Sequence, residues 1–304
     1  MKIAFVTPEA FPFVKTGGLA DVSYSLPRAL SKRGHDVRLI LPRYYRVDKS
    51  RFGLKSAGAP LGVPFGSGEK WAALFRSQFI PGVEACFIEH DEYYGRDRIY
   101  DDGYTAYSDN AERFVFFSRA VMQALKASGF APDIIHCNDW QTGLVPVLRR
   151  ELYGADPYYR KTATVFTVHN VGYQGVFDRG ALSLAQLGGH VFVEEGLEFF
   201  GQVNFLKAGV NYADMVTTVS RRYALEIQRE EFGYNLAGVF RKAASRLAGV
   251  TNGVDFDKWN PASDTFIPAQ YSESDLTGKS FCKGALQREM KIALDPEIPL
   301  IGII

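Results

Sequence analysis

The sequence predicts an α/β fold built on a Rossmann-like, doubly wound parallel sheet. Short apolar runs rich in β-branched residues, at 2–7, 36–42, 132–138, 162–170 and 213–220, are typical of buried strands. Segments with apolar residues every three or four positions lie between these runs, as in amphipathic helices. Strands that alternate with helices indicate crossover connections, and crossover connections produce parallel strands.

The first strand–helix–strand unit occupies residues 2–42. "KIAFVT" (2–7) and "DVRLILP" (36–42) each end at or next to a proline. The helix between them is predicted from its apolar face, which comprises Leu19, Val22, Leu26 and Leu30. Pro27 lies inside this helix and is expected to kink or split it, because proline lacks the backbone N–H.

The later elements follow the same alternation. Helical patterns occur at about 108–127, 140–152 and 221–230. Residues 71–79 and 83–90 flank "IPG", which predicts a hairpin.

The domain prediction divides the chain unevenly. Residues 1–260 are expected to form one α/β domain, followed by a crossing segment at 261–298. The apolar run 299–304 is expected to be the first strand of a further domain that the sequence does not contain, which suggests truncation.

Composition excludes several classes of protein. Among 304 residues, 35 Lys and Arg balance 34 Asp and Glu, which argues against a nucleic-acid partner. The three cysteines are far apart and form neither a metal-binding spacing nor a disulfide framework. No segment approaches the length of a membrane span, and the N-terminus lacks a signal-peptide pattern. We therefore expect a cytoplasmic protein without a membrane partner.

The loop after the first strand, within "FPFVKTGGLADV", is the first candidate site. Gly17 and Gly18 would let a ligand approach the backbone where the helix begins, and Lys15 would add a cation. These features suggest a diphosphate or sugar-phosphate pocket. The alternative is a glycine turn that only starts a helix, with Asp21 interacting favourably with the helix dipole.

Two further strand ends carry polar residues. His169 and Asn170 end the strand "TATVFTV", and Asp139 with Trp140 follows "IIHCN", so all four are expected at the same edge of the sheet. His169 could hydrogen-bond a sugar hydroxyl or could be a structural histidine. Asp139 could line the site or could simply cap the next helix.

Motifs along the whole chain resemble those of bacterial glycogen synthases and plant starch synthases. The matching motifs are "KTGGLADV", "YSDNAERF" (107–114), "PDIIHCNDWQTGL" (132–144), "FTVHNVGYQG" (166–175), "NFLKAGVNYADMVTTVS" (204–220), "EFGYNLAGVF" (231–240) and "TNGVDFDKWNPASD" (251–264). The resemblance implies the N-terminal half of a GT-B glycosyltransferase. Such enzymes transfer glucose from ADP-glucose to the non-reducing end of an α-1,4-glucan, such as glycogen, with retention.

The resemblance also implies roles for individual residues. It puts Lys15 on the donor, Gly17 and Gly18 on its phosphates, and Asp21 either against the loop or on the donor. It implies catalytic or sugar-pocket roles for His169 and Asp139, with Asn170 beside them. Substrate-binding candidates of the same kind are Tyr94, in the loop that also contains Arg96, and Glu9 in the first loop. The motif "HCNDWQ" departs from many relatives at Cys137, Asn138 and Gln141, which affects the predicted acceptor contacts.

The resemblance implies no cofactor and no metal in the pocket. It places much of the donor-binding machinery in a second domain, so the chain alone is expected to be inactive. Two other functions stay open: a GT-B transferase that uses another nucleotide sugar, and a non-catalytic glucan-binding module. A nucleotide-cofactor dehydrogenase is disfavoured because the G-x-G-x-x-G fingerprint is absent.

Overall fold

A computed structural model describes residues 1–303. The strands are β1 Lys2–Val6, β2 Asp36–Pro42, β3 Lys55–Ser56, β4 Leu61–Phe65, β5 Gly68–Ile80, β6 Val83–Glu89, β7 Ile134–Asn138, β8 Ala163–Val168, β9 Val176–Phe177, β10 Glu198–Phe199, β11 Gln202–Asn204, β12 Met215–Thr218 and β13 Leu247–Gly249. The α-helices are α1 Gly18–Lys32, α2 Asp91–Tyr94, α3 Asn110–Ala127, α4 Leu144–Glu151, α5 Gly180–Leu184, α6 Phe205–Tyr212, α7 Arg221–Glu226, α8 Glu230–Gly233, α9 Ala237–Lys242 and α10 Thr277–Glu289. Short 3₁₀ turns occur at Trp140–Thr142, Gly189–Val191 and Ala244–Arg246.

The main sheet confirms the predicted α/β class. Its strand order is β13-β12-β8-β7-β1-β2-β6-β5-β3, with β4 paired to β5. All neighbours from β13 to β6 are parallel, while β5 is antiparallel to β3, β4 and β6. The predicted hairpin is therefore present as β5 and β6. A small antiparallel sheet of β9, β10 and β11, which the sequence patterns did not indicate, lies between β8 and α6 in the chain.

The strand order reverses between β1 and β7. The chain leaves β1 towards β2 on one side, whereas β7, β8, β12 and β13 follow one another on the other side. In open parallel sheets, a ligand crevice forms at such a reversal, outside the carboxyl ends of the strands. The loop after β1 and the residues after β7 are therefore the parts of the chain that this topology places in a crevice.

Helix α1 differs from the prediction at Pro27. The helix runs without a break from Gly18 to Lys32, so Pro27 does not split it, and the alternative, a kink at Pro27, stays a prediction. Pro27 and Ser23 are both buried on the inner face, while Leu26 and Leu30 are partly buried against the core. One missing hydrogen bond does not break a helix whose apolar face is held by packing on the sheet.

The core is continuous around the sheet. Its largest buried side chains include Phe5, Phe87, Phe114 and Phe166. Helix α6 approaches the sheet so closely that a Cβ on Gly209 would lie 2.4 Å from the Phe166 ring. Gly209 is therefore an architectural residue, since any larger side chain would push the helix off the sheet.

The described chain divides into two compact units, Met1–Asn252 and the residues from Gly253 onward. In the second unit α10 packs on its own preceding segment, where a Cβ on Gly278 would lie 2.0 Å from the Gln270 carbonyl oxygen. Residues 299–303 form no strand, and Ile304 lies outside the described residues. The division predicted near residue 260, and the further domain, stay predictions.

Candidate active site

A cleft of about 770 Å³ opens in the first unit at the predicted edge of the sheet. It is bounded by the loops that follow β1, β7, β8 and β12 and by a loop between α2 and α3. The lining residues are Glu9, Thr16, Gly17, Gly18, Leu19, Tyr100, Asp101, Gly103, Tyr104, Thr105, Ala106, Asn110, Asp139, Trp140, Gln141, His169, Asn170, Tyr173, Val219 and Asn252. Six of the predicted site residues thus meet in one cleft: Glu9, Gly17, Gly18, Asp139, His169 and Asn170.

The charge of this cleft is distinctive. Among the described residues that line it there are three carboxyl groups, Glu9, Asp101 and Asp139, and neither a lysine nor an arginine. Carboxylates and amides suit the hydroxyl groups of a sugar, since they accept hydrogen bonds from them. A diphosphate instead needs cations or clustered N–H donors.

Glu9 holds the loop that precedes α1. Its side chain is buried at 3% exposure, and its Oε2 accepts hydrogen bonds from the backbone N–H and the hydroxyl of Thr16, both at 2.6 Å. Burial raises the pKa of Glu9, and the hydrogen bonds from Thr16 oppose that rise. The inner side of the loop therefore faces a carboxyl group, so a phosphate would have to bind nearer to the first turn of α1.

Gly17 and Gly18 are not required by the packing of the chain itself. A Cβ on Gly17 would have its nearest neighbour at 3.9 Å, and a Cβ on Gly18 would meet no atom within 4 Å. Gly17 has an extended backbone (φ −148°, ψ −164°), and Gly18 is the first residue of α1. The fold therefore leaves room for side chains at both positions. A ligand that approaches the backbone here would account for the two glycines, and that contact stays a prediction.

Lys15 and Asp21 lie beside the cleft and outside its lining. They form an ion pair of 2.5 Å, and their side chains are 42% and 34% exposed. Asp21 therefore holds the Lys15 ammonium at the entrance to α1, which agrees with the predicted bracing role. Contact of either residue with a donor stays a prediction.

Asp139 follows β7 with a positive φ of 56° and an extended ψ of 179°. Its N–H donates to the Thr167 carbonyl of β8 at 3.0 Å, and its Oδ1 accepts from the His169 N–H at 2.7 Å. The side chain makes no capping bond to the following 3₁₀ turn, so the helix-cap interpretation is wrong. Burial raises the pKa of Asp139 to about 7. The carboxyl group thus lies in the cleft and gains or loses its proton near neutral pH.

His169 is fixed by a chain of hydrogen bonds across three strand ends. The Asn138 amide donates to the Val6 carbonyl at 3.0 Å, so its oxygen faces His169 Nε2, which lies 3.0 Å away. Nε2 therefore carries the proton. Burial lowers the pKa of His169 to about 4, so the ring is neutral at physiological pH. Nδ1 bonds to no residue in the range 1–303 and retains its lone pair.

Tyr94 lies away from the cleft. It ends α2, is fully buried, and its hydroxyl donates to the Arg113 carbonyl at 2.8 Å. Tyr94, predicted as a substrate-binding candidate, is not among the residues that line the cleft. Arg96 forms a two-point ion pair with Asp109, at 2.8 and 2.5 Å. Asn170 does line the cleft, and its side-chain oxygen accepts from the Gly172 N–H at 2.9 Å.

Several cleft residues were not among the predicted site residues. The most informative are Tyr100, whose burial raises its phenol pKa well above the usual range, and Asn110 and Thr16. Thr16 lies inside the predicted loop motif, and Asn110 lies in "YSDNAERF". Among residues 1–303, no group of three or more His, Cys, Asp and Glu side chains is placed to hold a metal ion.

Comparison with known proteins agrees with this fold. The family model described as starch synthase catalytic domain matches residues 2–242. The glycogen synthase of Syntrophotalea carbinolica is 43% identical over 304 residues, which is 100% of this chain and 63% of that protein. The glycogen synthase of Koribacter versatilis is 44% identical over 304 residues, covering 100% of this chain and 62% of that protein.

A solved structure extends the comparison to three dimensions. The catalytic domain of starch synthase IV from Arabidopsis thaliana, bound to ADP and acarbose, superposes with a TM-score of 0.85 at 32% identity. The match covers 96% of this chain and 59% of that chain. The fold is therefore that of the N-terminal domain of a GT-B glycosyltransferase. More specifically, the chain belongs to the starch synthase catalytic domain family. It spans about three-fifths of the length of the curated relatives that it matches.

Proposed function

We propose that this chain forms the acceptor side of the active site of a glucan synthase. The reaction is transfer of glucose from ADP-glucose to the non-reducing end of an α-1,4-glucan such as glycogen, with retention. Family membership and the ADP-bound starch synthase neighbour support the donor class. The observation that carries the proposal is the cleft itself, which is rich in carboxyl and amide groups and is lined by neither a lysine nor an arginine of the described chain.

The proposed roles follow from the geometry. Asp139 and His169 lie at neighbouring strand ends, where a glucosyl unit would contact both. The neutral imidazole of His169 would accept a hydrogen bond from a sugar hydroxyl at Nδ1. Asp139 would carry negative charge towards a developing sugar cation, the kind of fixed electrostatic contribution that is often the largest in catalysis. Positive charge for the leaving diphosphate would come from Lys15 and from residues that this chain does not contain.

A localisation proposal accompanies this function. Among the described residues, no helix has both the length and the apolar character to cross a membrane. The three cysteines are all free, which is what a reducing compartment favours. We propose the cytoplasm on the basis of these free thiols.

The proposed function is tested by incorporation of labelled glucose from ADP-glucose into glycogen. We expect no transfer by the 304-residue chain alone and transfer when the C-terminal half of a relative is supplied. UDP-glucose serves as the competing donor, and maltoheptaose binding is measured in parallel. Robust transfer by the chain alone would contradict the proposal that this chain forms only one side of the active site. A preference for UDP-glucose would contradict the proposal that ADP-glucose is the donor. Maltoheptaose binding without transfer in the reconstituted pair, once assembly is verified, would indicate a binding module.

Lys15→Ala is expected to affect the donor much more than the fold. The ion pair with Asp21 is partly exposed, so its loss should cost at most about 1 kcal/mol of unfolding free energy. In an enzyme that contains both halves, we expect KM for ADP-glucose to rise by about tenfold or more, because a phosphate contact is lost. Lys55→Ala, an exposed lysine on β3, is the control. Unchanged donor kinetics in Lys15→Ala would show that this ammonium does not contact the donor.

A further inference from the structure

The motif "YSDNAERF" anchors an irregular segment that forms part of the cleft wall. Between α2 and α3 the chain has no helix, and its one pairing in the described structure is an isolated bridge between Asp101 and Ala106. Side chains at the start of α3 hold both α2 and this segment. The Arg113 Nε donates to the Tyr93 carbonyl at 2.8 Å, and the Asn110 Nδ2 donates to the Tyr100 carbonyl at 2.9 Å.

Arg113 is an unusual buried cation. Its side chain is 0% exposed, and no carboxylate of residues 1–303 lies within ion-pair distance of it. Its Nη1 donates to the Asn110 Oδ1 at 2.6 Å, and its guanidinium lies 5.0 Å from the Tyr107 ring. Burying a guanidinium without a counter-ion is costly, so this placement calls for a specific reason. Because Arg113 binds the oxygen of the Asn110 amide, the amide nitrogen is left to face Tyr100.

Tyr100 belongs to this anchored segment and lines the cleft. The same cleft is lined by Thr16 and Glu9 of the loop after β1, where Thr16 donates to Glu9. Burial raises the pKa of the Tyr100 phenol well above its usual range. Tyr100 therefore lies where the segment and the loop after β1 border one cleft.

We propose that Asn110, oriented by Arg113, is a positioning residue for Tyr100, and that Tyr100 shapes the sugar-binding floor of the cleft. The identity of the sugar, an α-1,4-glucan, rests on the proposed function. The hydrogen-bond chain from Arg113 through Asn110 to Tyr100 does not depend on it.

The variant Asn110→Asp removes one of the two side-chain hydrogen bonds of Asn110 and keeps the other. The aspartate still accepts from Arg113 but cannot donate to the Tyr100 carbonyl. We measure hydrogen exchange of the Tyr107 amide, which donates to that same carbonyl at 3.0 Å, and the affinity for maltoheptaose. Exchange at Tyr107 should rise, and affinity should fall, by about tenfold each, as loss of one buried hydrogen bond predicts. Asn211→Asp is the matched control, since it removes the same kind of bond, to the Gly196 carbonyl, and neither residue lines the cleft.

A double-mutant cycle with Tyr100→Ala tests whether Asn110 acts through Tyr100. The effect of Asn110→Asp on maltoheptaose affinity should disappear in the Tyr100→Ala background. Additive effects would mean that Asn110 contacts the ligand directly, which would overturn the positioning role. Unchanged exchange at Tyr107 in Asn110→Asp would overturn it as well.

A replacement variant and the exchange measurement cover two possible failures of this experiment. If Asn110→Asp does not fold, Arg113→Lys takes its place, because a lysine lacks the planar fork that orients Asn110, and the same rise in Tyr107 exchange is expected. If the wild-type chain binds no maltoheptaose, the proposed ligand is wrong for this chain. The exchange measurement still decides the role of Asn110 in that case.

Discussion

Asp139→Asn should stabilise the fold near pH 8 while abolishing most of the transfer activity. The pKa of Asp139 is raised from 3.8 to about 7 by burial. Between these values the folded chain holds a proton that the unfolded chain has lost, so this carboxyl makes stability fall as pH rises towards 7. Asparagine has nearly the shape of aspartate and should keep the same backbone and still accept from the His169 N–H, but it carries no charge.

The expected gain for Asp139→Asn is about 1–3 kcal/mol of unfolding free energy near pH 8, shrinking towards zero near pH 4. Urea unfolding at both pH values measures it. Asp102→Asn should change stability in the opposite direction, because backbone N–H groups of Thr105 and Tyr104 lower the pKa of Asp102. In an enzyme with both halves, Asp139→Asn should reduce transfer on the order of a hundredfold or more. Equal stability changes at the two pH values would refute the titration argument.

Gly143→Ala should be strongly destabilising, whereas Gly18→Ala should fold normally. Gly143 joins the 3₁₀ turn after Asp139 to α4, and a Cβ there would lie 2.0 Å from the carbonyl oxygen of Phe205, the first residue of α6. Backbone atoms cannot rotate away as a side chain can, so α4 and α6 must separate. We expect a loss of about 3 kcal/mol or more.

Gly18→Ala is the matched comparison for Gly143→Ala. The added methyl group meets no atom within 4 Å, and alanine favours a helix over glycine by about 1 kcal/mol. Folding should be unaffected, while donor binding in the complete enzyme should weaken if a phosphate approaches this backbone. Thermal unfolding and ADP affinity measure the two effects. Normal ADP binding by Gly18→Ala would remove the ligand-based explanation for this glycine.

Sequence patterns predicted the parts of the site that regular strands position. Asp139 and His169 each come directly after a strand of strong apolar character, so the parallel sheet places them together. Tyr94 and Tyr100 show where this reasoning ends. Both lie in "EYYGRDRIY", and no periodicity indicates which ring faces the cleft, because side-chain bonds from α3 hold the segment. The proposed positioning of Tyr100 by Asn110 depends on similar side-chain contacts, and no sequence pattern indicates it.

Two further differences have local physical causes. Asp139 has the residue type and position of a helix cap, yet its carboxyl group accepts from the backbone N–H of His169, which follows β8, since a tertiary partner is available there. Pro27 satisfies the rule for a helix break, yet tertiary packing keeps the helix continuous. Local preference is a weak guide where a neighbouring element supplies a stronger contact.

The hydrogen-bond chain from Val6 through Asn138 to His169 determines what the imidazole can recognise. Because Nε2 is occupied as a donor and the ring stays neutral, Nδ1 can only accept. A sugar group at this nitrogen would therefore have to be a hydroxyl, which can donate, because an ether, a ketone or a fluorine substituent of similar size cannot. Recognition here would depend on the presence of one hydrogen atom on the ligand.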